Sequence, residues 1–258
     1  MLVCIHQPNF LPRPKVIDKM IHSDLTIYLD DVQYVPREWQ NRALIRKPNG
    51  EFYWLSIPVF TKNRRNQLIM ECQIIDCNRW RHKHIAAIEH FYVRSPWLNL
   101  FKEIIAPLWA NSLTELSIFC VESVKYILRT LRRTITTIFS HQLVNNALFS
   151  SVLTETLKDF HFLTNHGFHS KYEIRYRRTI RLIALCRAVR GTAYLSGTGA
   201  LAYLEPDLFK SANIKLFLQH DLDYEGPSWR RLSILDAILM RGPQKTIKDL
   251  LRGQYEKF

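Results

Sequence analysis

The sequence lacks a charged leader followed by an apolar core and a small-residue cleavage site, and it has no run of about 18 apolar residues. Neither a signal peptide nor a membrane-spanning helix is therefore expected, and a cytoplasmic location is the default. Its five cysteines (Cys4, Cys72, Cys77, Cys120 and Cys186) form no C-x-x-C pair and are odd in number, which argues against a zinc site or a disulfide framework and for reduced core residues. Also missing are the Gly-Lys-Ser/Thr ending of a phosphate loop, the G-x-G-x-x-G spacing of a dinucleotide fold, any internal repeat and any low-complexity tract. Acidic side chains are scarce beside basic ones: 23 Asp and Glu against 36 Lys and Arg leave a formal charge of +13. That excess concentrates polyanions, so nucleic acid, nucleotide phosphates or an anionic membrane surface are the expected partner classes, with a merely solubilising basic surface as the plain alternative.

What is present is enough apolar material for a substantial core, at 47% hydrophobic and 12% aromatic residues in 258. The short apolar runs Leu2 to Ile5 and Leu25 to Leu29 flank a polar, proline-bounded turn (His6 to Pro12) and an amphipathic segment (Lys15 to Ile21), which is the rhythm of a βαβ unit. Asn49-Gly50 between Ala43-Leu44-Ile45 and Phe52 to Ile57 predicts a β-hairpin. A basic loop, Thr61 to Asn66, follows as a candidate flap over an anionic ligand, then a strand over Leu68 to Ile75 and a helix N-capped by Asn78 that carries Ile85, Ile88, Phe91 and Tyr92. Pro107 predicts a break in the helical stretch Leu98 to Leu108, and Leu113 to Phe139 reads as one long helix or two. Ser140 to Thr164 reads as mostly helical or mixed. Thr179 to Val189 predicts a helix C-capped by Gly191, followed by strands at Ala193 to Leu195 and Ile214 to Gln219 and a terminal helix at Leu232 to Met240 stopped by Gly242-Pro243. The expected architecture is α/β: a single domain over 1–258, a small mostly parallel sheet with flanking helices, and a mainly helical insertion or subdomain at 113–172.

In such a fold the carboxyl ends of the strands carry the ligand, which puts His6, Gln7, Asn9, Asp30 and Asp31 in view. Asp30 and Asp31 have the oxygen chemistry for Mg²⁺ beside a substrate phosphate, with Arg37, Arg42, Arg46 and Lys47 as a clamp on phosphate oxygens; the bland reading is a turn cap and a solvated charge. His6 after a buried run is expected to titrate near neutrality and to act as general base, or else to be a structural imidazole bonded near Asp30. The amides Gln7, Asn9, Gln33, Gln40 and Asn41, together with Trp39, are candidate readers of a sugar or base. Ser196-Gly197-Thr198-Gly199 after a strand offers backbone N–H groups to an anion. His82 and Lys83 open a helix as anion contacts; His82 and His84 point to different sides, which excludes a chelating pair.

The strings IHQPNFLP, YLDDVQYVPREWQNR, WRHKHIAAIEHFY, GTAYLSGTGALAYL and LSILDAIL, in this order, resemble the WbqC-like protein family over nearly the whole chain apart from the region around Leu113 to Tyr172. The family takes its name from surface-polysaccharide gene clusters. The resemblance implies an enzyme that attaches a small acyl or amino-acid unit to an amino sugar. Arg13 stands where the pattern has an aromatic after the prolines, and the tyrosine-rich stretch is altered around Tyr224-Glu225-Gly226-Pro227; with the extended basic middle, these departures weigh against a sugar acceptor. Three readings follow. The first is a transferase joining a small amino acid such as glycine to an acceptor, with a modified base in DNA as acceptor or charged tRNA as donor, His6 as base, Asp30 or Asp31 as metal or amine ligand, and Arg37, Arg42 and Lys47 on phosphate. The second is N-acylation of a nucleotide-linked amino sugar. The third is a non-catalytic nucleic-acid-binding protein.

Overall fold

The computed structural model describes residues 1–75, 78–160, 170–220, 231–253 and 255–257, with the side chains of residues 147, 170–175 and 198 excepted. Its first apolar run is strand β1 (Leu2–His6), which helix α1 (Pro14–Ile21) connects to β2 (Leu25–Tyr28). The hairpin β3 (Arg42–Arg46) and β4 (Phe52–Ser56) stands apart as its own two-stranded sheet, turning at Gly50 with φ +85°. Helices α2 (Asn78–Phe91), α3 (Leu98–Leu100), α4 (Pro107–Ala110) and α5 (Leu116–Thr130) precede β5 (Thr137–Phe139). Then come α6 (Ser140–Val144), α7 (Ala147–Asp159), α8 (Ser170–Ala188), β6 (Ala193–Gly197), α9 (Pro206–Ser211), β7 (Lys215–Gln219), α10 (Ile234–Arg241), α11 (Pro243–Leu250) and β8 (Tyr255–Lys257).

The main sheet runs β5-β2-β1-β6-β7-β8, parallel throughout except for β8, which lies antiparallel to β7. The chain builds outward from β1 through β2 to β5, then returns to the other side of β1 with β6 and continues to β7. The direction of winding thus reverses between β1 and β6. At such a reversal the connections leave on opposite faces and open a crevice above the carboxyl ends, where α/β sheets bind ligands. Strand alternation sorts the core into two layers: Cys4 and Tyr28 pack with α1, α5, α10 and the hairpin, whereas Val3, Ile5 and Ile27 pack with α8 and α9.

The α/β architecture agrees with the sequence pattern, and several local expectations are corrected. The stretch 113–139 is not continuous helix. Arg132 adopts φ +53°, the Arg133 N–H donates to the Leu128 carbonyl at 2.9 Å and the Arg132 N–H to Arg129 at 3.1 Å, a Schellman ending that stops α5. The β-branched run that follows then pairs as β5 with β2, so the mostly helical middle also supplies a sheet strand. Residues 68–75 form a 3₁₀ turn (Ile69–Glu71) and isolated bridges in place of a strand. Pro107, which has no N–H to donate, is preceded by a π-helical widening over Phe101–Ile105. The left-handed cap of α8 is Arg190 (φ +58°), not Gly191; glycine is needed at 191 because a Cβ there would sit 2.6 Å from Val3 Cγ2. Gly242-Pro243 ends α10 but also starts α11, so α10 is not terminal. Cys4, Cys72, Cys120 and Cys186 are free and buried. Cys77, residues 161–164 of the helical expectation and the Tyr224-Glu225-Gly226-Pro227 departure lie outside the described residues. Among the described residues no helix is long and apolar enough to cross a membrane.

Candidate functional site

Two neighbouring strand ends, those of β2 and β5, hold a closed set of charged and polar groups. Asp30 follows β2 and is fully buried; its Oδ2 lies 2.6 Å from His141 Nδ1, and its Oδ1 lies 3.1 Å from Ser140 Oγ and accepts from the His141 backbone N–H at 3.3 Å. Because α6 begins where β5 ends, the His141 N–H in its first turn lacks a helical partner and turns to this carboxylate. Asp31 accepts from Ser140 Oγ at 2.5 Å and pairs with Arg181 of α8. A hydroxyl has one proton, and the shorter contact assigns it to Asp31. A carboxylate can only accept, so Nδ1 of His141 is the protonated nitrogen and Nε2 carries the lone pair. Nε2 enters no hydrogen bond among the described residues, and the side chain is 30% exposed. A buried carboxylate that fixes the tautomer and presents Nε2 outward is the arrangement of a general base.

One strand further, His6 ends β1 in register with Tyr28 of β2, which is in register with Phe139 of β5. Its Nδ1 meets the Gln7 carbonyl at 2.8 Å. Burial, then the charges of Lys19, Arg13 and Lys15, push the ring from its ordinary range down to about 3, against a weaker opposing effect of the Gln7 carbonyl. His6 therefore does not titrate near neutrality: it is an uncharged acceptor among cations. Lys19 is 6% exposed, and its ammonium donates a long hydrogen bond, 3.4 Å, to the Ile5 carbonyl. No hydrogen bond joins His6 to Asp30 or Asp31; the imidazole on Asp30 belongs to His141.

The expected basic clamp is dispersed along the hairpin. Lys47 pairs with Glu51 at 2.8 Å and Arg46 with Asp236 at 3.4 Å, Arg37 is exposed with φ +64°, and Arg42 lies over the Trp54 ring at 4.2 Å. The guanidinium that reaches the carboxylate pair comes instead from Arg181. With both carboxylates held by a cation, a hydroxyl and an imidazole, their oxygens do not fit Mg²⁺ unless Arg181 is displaced. Among the described residues no group of three or more metal-ligating side chains occurs.

The amides divide. Gln40 donates to Gln7 at 2.7 Å, joining the β1 loop to the hairpin loop, and Asn9 is buried between them in the chain. Asn41 donates to the Ile57 carbonyl at 2.9 Å, whereas Gln33 supports the basic loop through the Arg65 carbonyl at 3.2 Å. Trp39 takes the Arg13 guanidinium on its face at 4.6 Å. His82 and Lys83 are exposed on α2, while His84 turns inward to Ser56 and Trp109, where burial lowers its pKa to about 4. Ser196 and Gly197 are the last residues of β6, across the winding reversal from His6, and a 3₁₀ turn over Thr198–Ala202 follows. The side chain of Thr198 lies outside the described residues. Neither Gly197 nor Gly199 has positive φ, and a Cβ on either would meet nothing within 4 Å, so neither backbone nor packing demands glycine there.

Ser140, His141, Arg181 and Lys19 were not singled out by sequence. The usable signal for the first two was the β-branched run before them: once it reads as a strand, its carboxyl end becomes a site position.

The model of one family, described as the WbqC-like protein family, matches residues 7–248. A protein of Mycobacterium tuberculosis (strain ATCC 25618 / H37Rv), named Uncharacterized protein Rv1507c, is 28% identical over 225 residues, which cover 87% of this chain and 83% of that protein. No solved structure matches.

Proposed function

The chain belongs to the WbqC-like protein family, and from that premise we propose that it is a transferase joining a small amino acid, glycine in the simplest case, or an acyl unit to an amine or hydroxyl acceptor. Nucleic acid is the proposed partner, as a modified base in DNA that accepts or a charged tRNA that donates. The observation that carries this reading is the buried Asp30 carboxylate 2.6 Å from His141 Nδ1, with Nε2 left free at a sheet edge. Nε2 would take the proton of the attacking amine as its nitrogen bonds to the activated carbonyl carbon. The ester C–O bond then breaks, and the imidazolium, stabilised by Asp30, returns the proton to the departing oxygen. Asp31 and Arg181 hold Ser140 and the start of α6 so that His141 keeps this orientation. The neutral His6 accepts a hydrogen bond from substrate, and Lys19 with Arg13 favours its anionic portion. A formal charge of +13 favours a polyanion over a small neutral acceptor.

The test is product mass after incubating the protein with glycyl-tRNA as the activated ester and either modified-base DNA or free glycine as the acceptor, for wild type, His141→Ala and Asp30→Asn. A product that both variants fail to make supports the reading. Equal product from wild type and His141→Ala would overturn the base assignment. N-acylation of a nucleotide-linked amino sugar, the reading that follows the family name, would show as product only with that acceptor. Salt-sensitive nucleic-acid binding without any product would mark a binding protein.

A further inference from the structure

Four side chains of the β1 loop and the hairpin touch in a row. The Arg13 guanidinium lies 4.6 Å from the centre of the Trp39 ring, Trp39 lies 5.3 Å from Trp54 at an interplanar angle of 54°, and Arg42 lies 4.2 Å from Trp54. Register explains the second half: Leu44 pairs with Trp54, and Arg42 is two residues from Leu44, so Arg42 and Trp54 share one face of the hairpin. The first half is fixed by the Phe10 N–H donating to the Trp39 carbonyl at 3.1 Å, which ties the β1 loop to the hairpin loop. Neither Arg13 nor Arg42 forms an ion pair among the described residues, unlike Arg46 and Lys47 beside them. In the two arginines of the row and the two residues before Arg42, buried polar atoms lack partners: Nε of Arg13, Nε of Arg42, Oε1 of Gln40 and Oδ1 of Asn41, with Gln40 only 4% exposed. Unmet donors on unpaired cations and unmet amide acceptors in one place are a demand for an anionic, hydrogen-bonding ligand.

We propose that the row Arg13, Trp39, Trp54 and Arg42 is a subsite for single-stranded nucleic acid, in which unpaired bases stack on the guanidinium and indole planes, the arginines meet neighbouring phosphates, and Gln40 and Asn41 accept from a base edge. Stacking is tolerant of base identity and requires bases free of a duplex, whereas a free nucleotide would use only one rung of the row. The two cations at opposite ends of the aromatic pair suit successive phosphates of a strand. The choice of occupant rests on the proposed nucleic-acid partner but not on the transfer chemistry.

The experiment measures tryptophan quenching and binding of a thymidine hexamer, the duplex of equal length and thymidine monophosphate, with no amino-acid donor present. The hexamer is expected to quench and to bind more tightly than the other two. Trp39→Ala and Trp54→Ala are each expected to weaken it by about tenfold or more, with Trp→Phe at either position keeping most of the affinity. Arg42→Gln should reduce the slope of log K against log salt by about 0.7. Hexamer binding unchanged in both folded alanine variants, or monophosphate binding as tight as hexamer binding, would overturn the subsite. His141→Ala separates the two proposals: hexamer binding kept there while wild type and variant transfer equally overturns the base assignment alone, and transfer to a nucleotide sugar without hexamer binding overturns the subsite and the nucleic-acid partner while the base assignment stands.

Discussion

The two halves of the carboxyl edge solve opposite problems. At the ends of β2 and β5 the two carboxylates, Ser140, His141 and Arg181 bond to one another, and among the described residues Nε2 of His141 and the buried Nε of Arg181 are left without a partner. At the end of β1 and on the hairpin, cations crowd an uncharged His6, and buried polar atoms of Arg13, Gln40, Asn41 and Arg42 have no partner. A closed network keeps its geometry before any ligand arrives, which suits chemistry; an open one gains its missing hydrogen bonds from the ligand, which suits recognition. The contrast separates the residue that moves a proton from the residues that hold what receives it.

The sharpest way to break that division is to exchange the two histidines' expected effects. Removal of a positioned base lowers turnover by roughly 10²–10⁴-fold, the expectation for His141→Ala in the product-mass assay, with Asp30→Asn close behind. His6→Ala is expected to raise KM more than it lowers kcat; a larger kcat loss in His6→Ala than in His141→Ala would reverse the roles. Acid stability tests the cationic half. His6 and His84 have folded pKa values lowered to about 3 and about 4. Their contribution is therefore complete above the unfolded value near 6.5 and is lost as pH falls from there toward the folded values, because the unfolded chain binds protons first. Urea unfolding should show stability decreasing over that window by on the order of 3 kcal/mol for buried His84. His84→Gln should flatten the decline, and an anion such as pyrophosphate should lessen the share due to His6. The glycines sharpen the contrast at the smallest scale. Gly191→Ala, with a Cβ 2.6 Å from Val3 Cγ2, should lower stability by about 1–3 kcal/mol. Gly197→Ala, with open space around its Cβ, should change stability by less than about 1 kcal/mol yet weaken substrate binding. Thermal melts alongside binding isotherms check both.

Much of this edge could be read in the sequence because it depends on local pattern. β1, β2 and the hairpin follow from short apolar runs and Asn49-Gly50, and they place His6, Asp30, Trp39 and Arg42. What escaped depends on pairing across the chain. Arg181 lies in the helix expected over Thr179 to Val189, but its partner Asp31 lies 150 residues away. His141 was hidden because the run 134–139 follows α5 closely, and its threonines and isoleucines fit a helical period as well as a strand. Trp54 reads as an ordinary strand aromatic until hairpin register sets it beside Arg42. Lys19 looks like the polar face of an amphipathic segment, and its burial against the end of β1 emerges only in three dimensions.

The most direct measurement is a long-range ¹H–¹⁵N correlation spectrum of histidine-labelled protein, at alkaline pH where imidazoles are neutral. His141 is expected as the Nδ1–H tautomer with an unprotonated Nε2, and Asp30→Asn is expected to shift that tautomer balance. A His141 protonated on Nε2, or a spectrum indifferent to Asp30→Asn, would contradict the arrangement on which the proposed proton transfer depends.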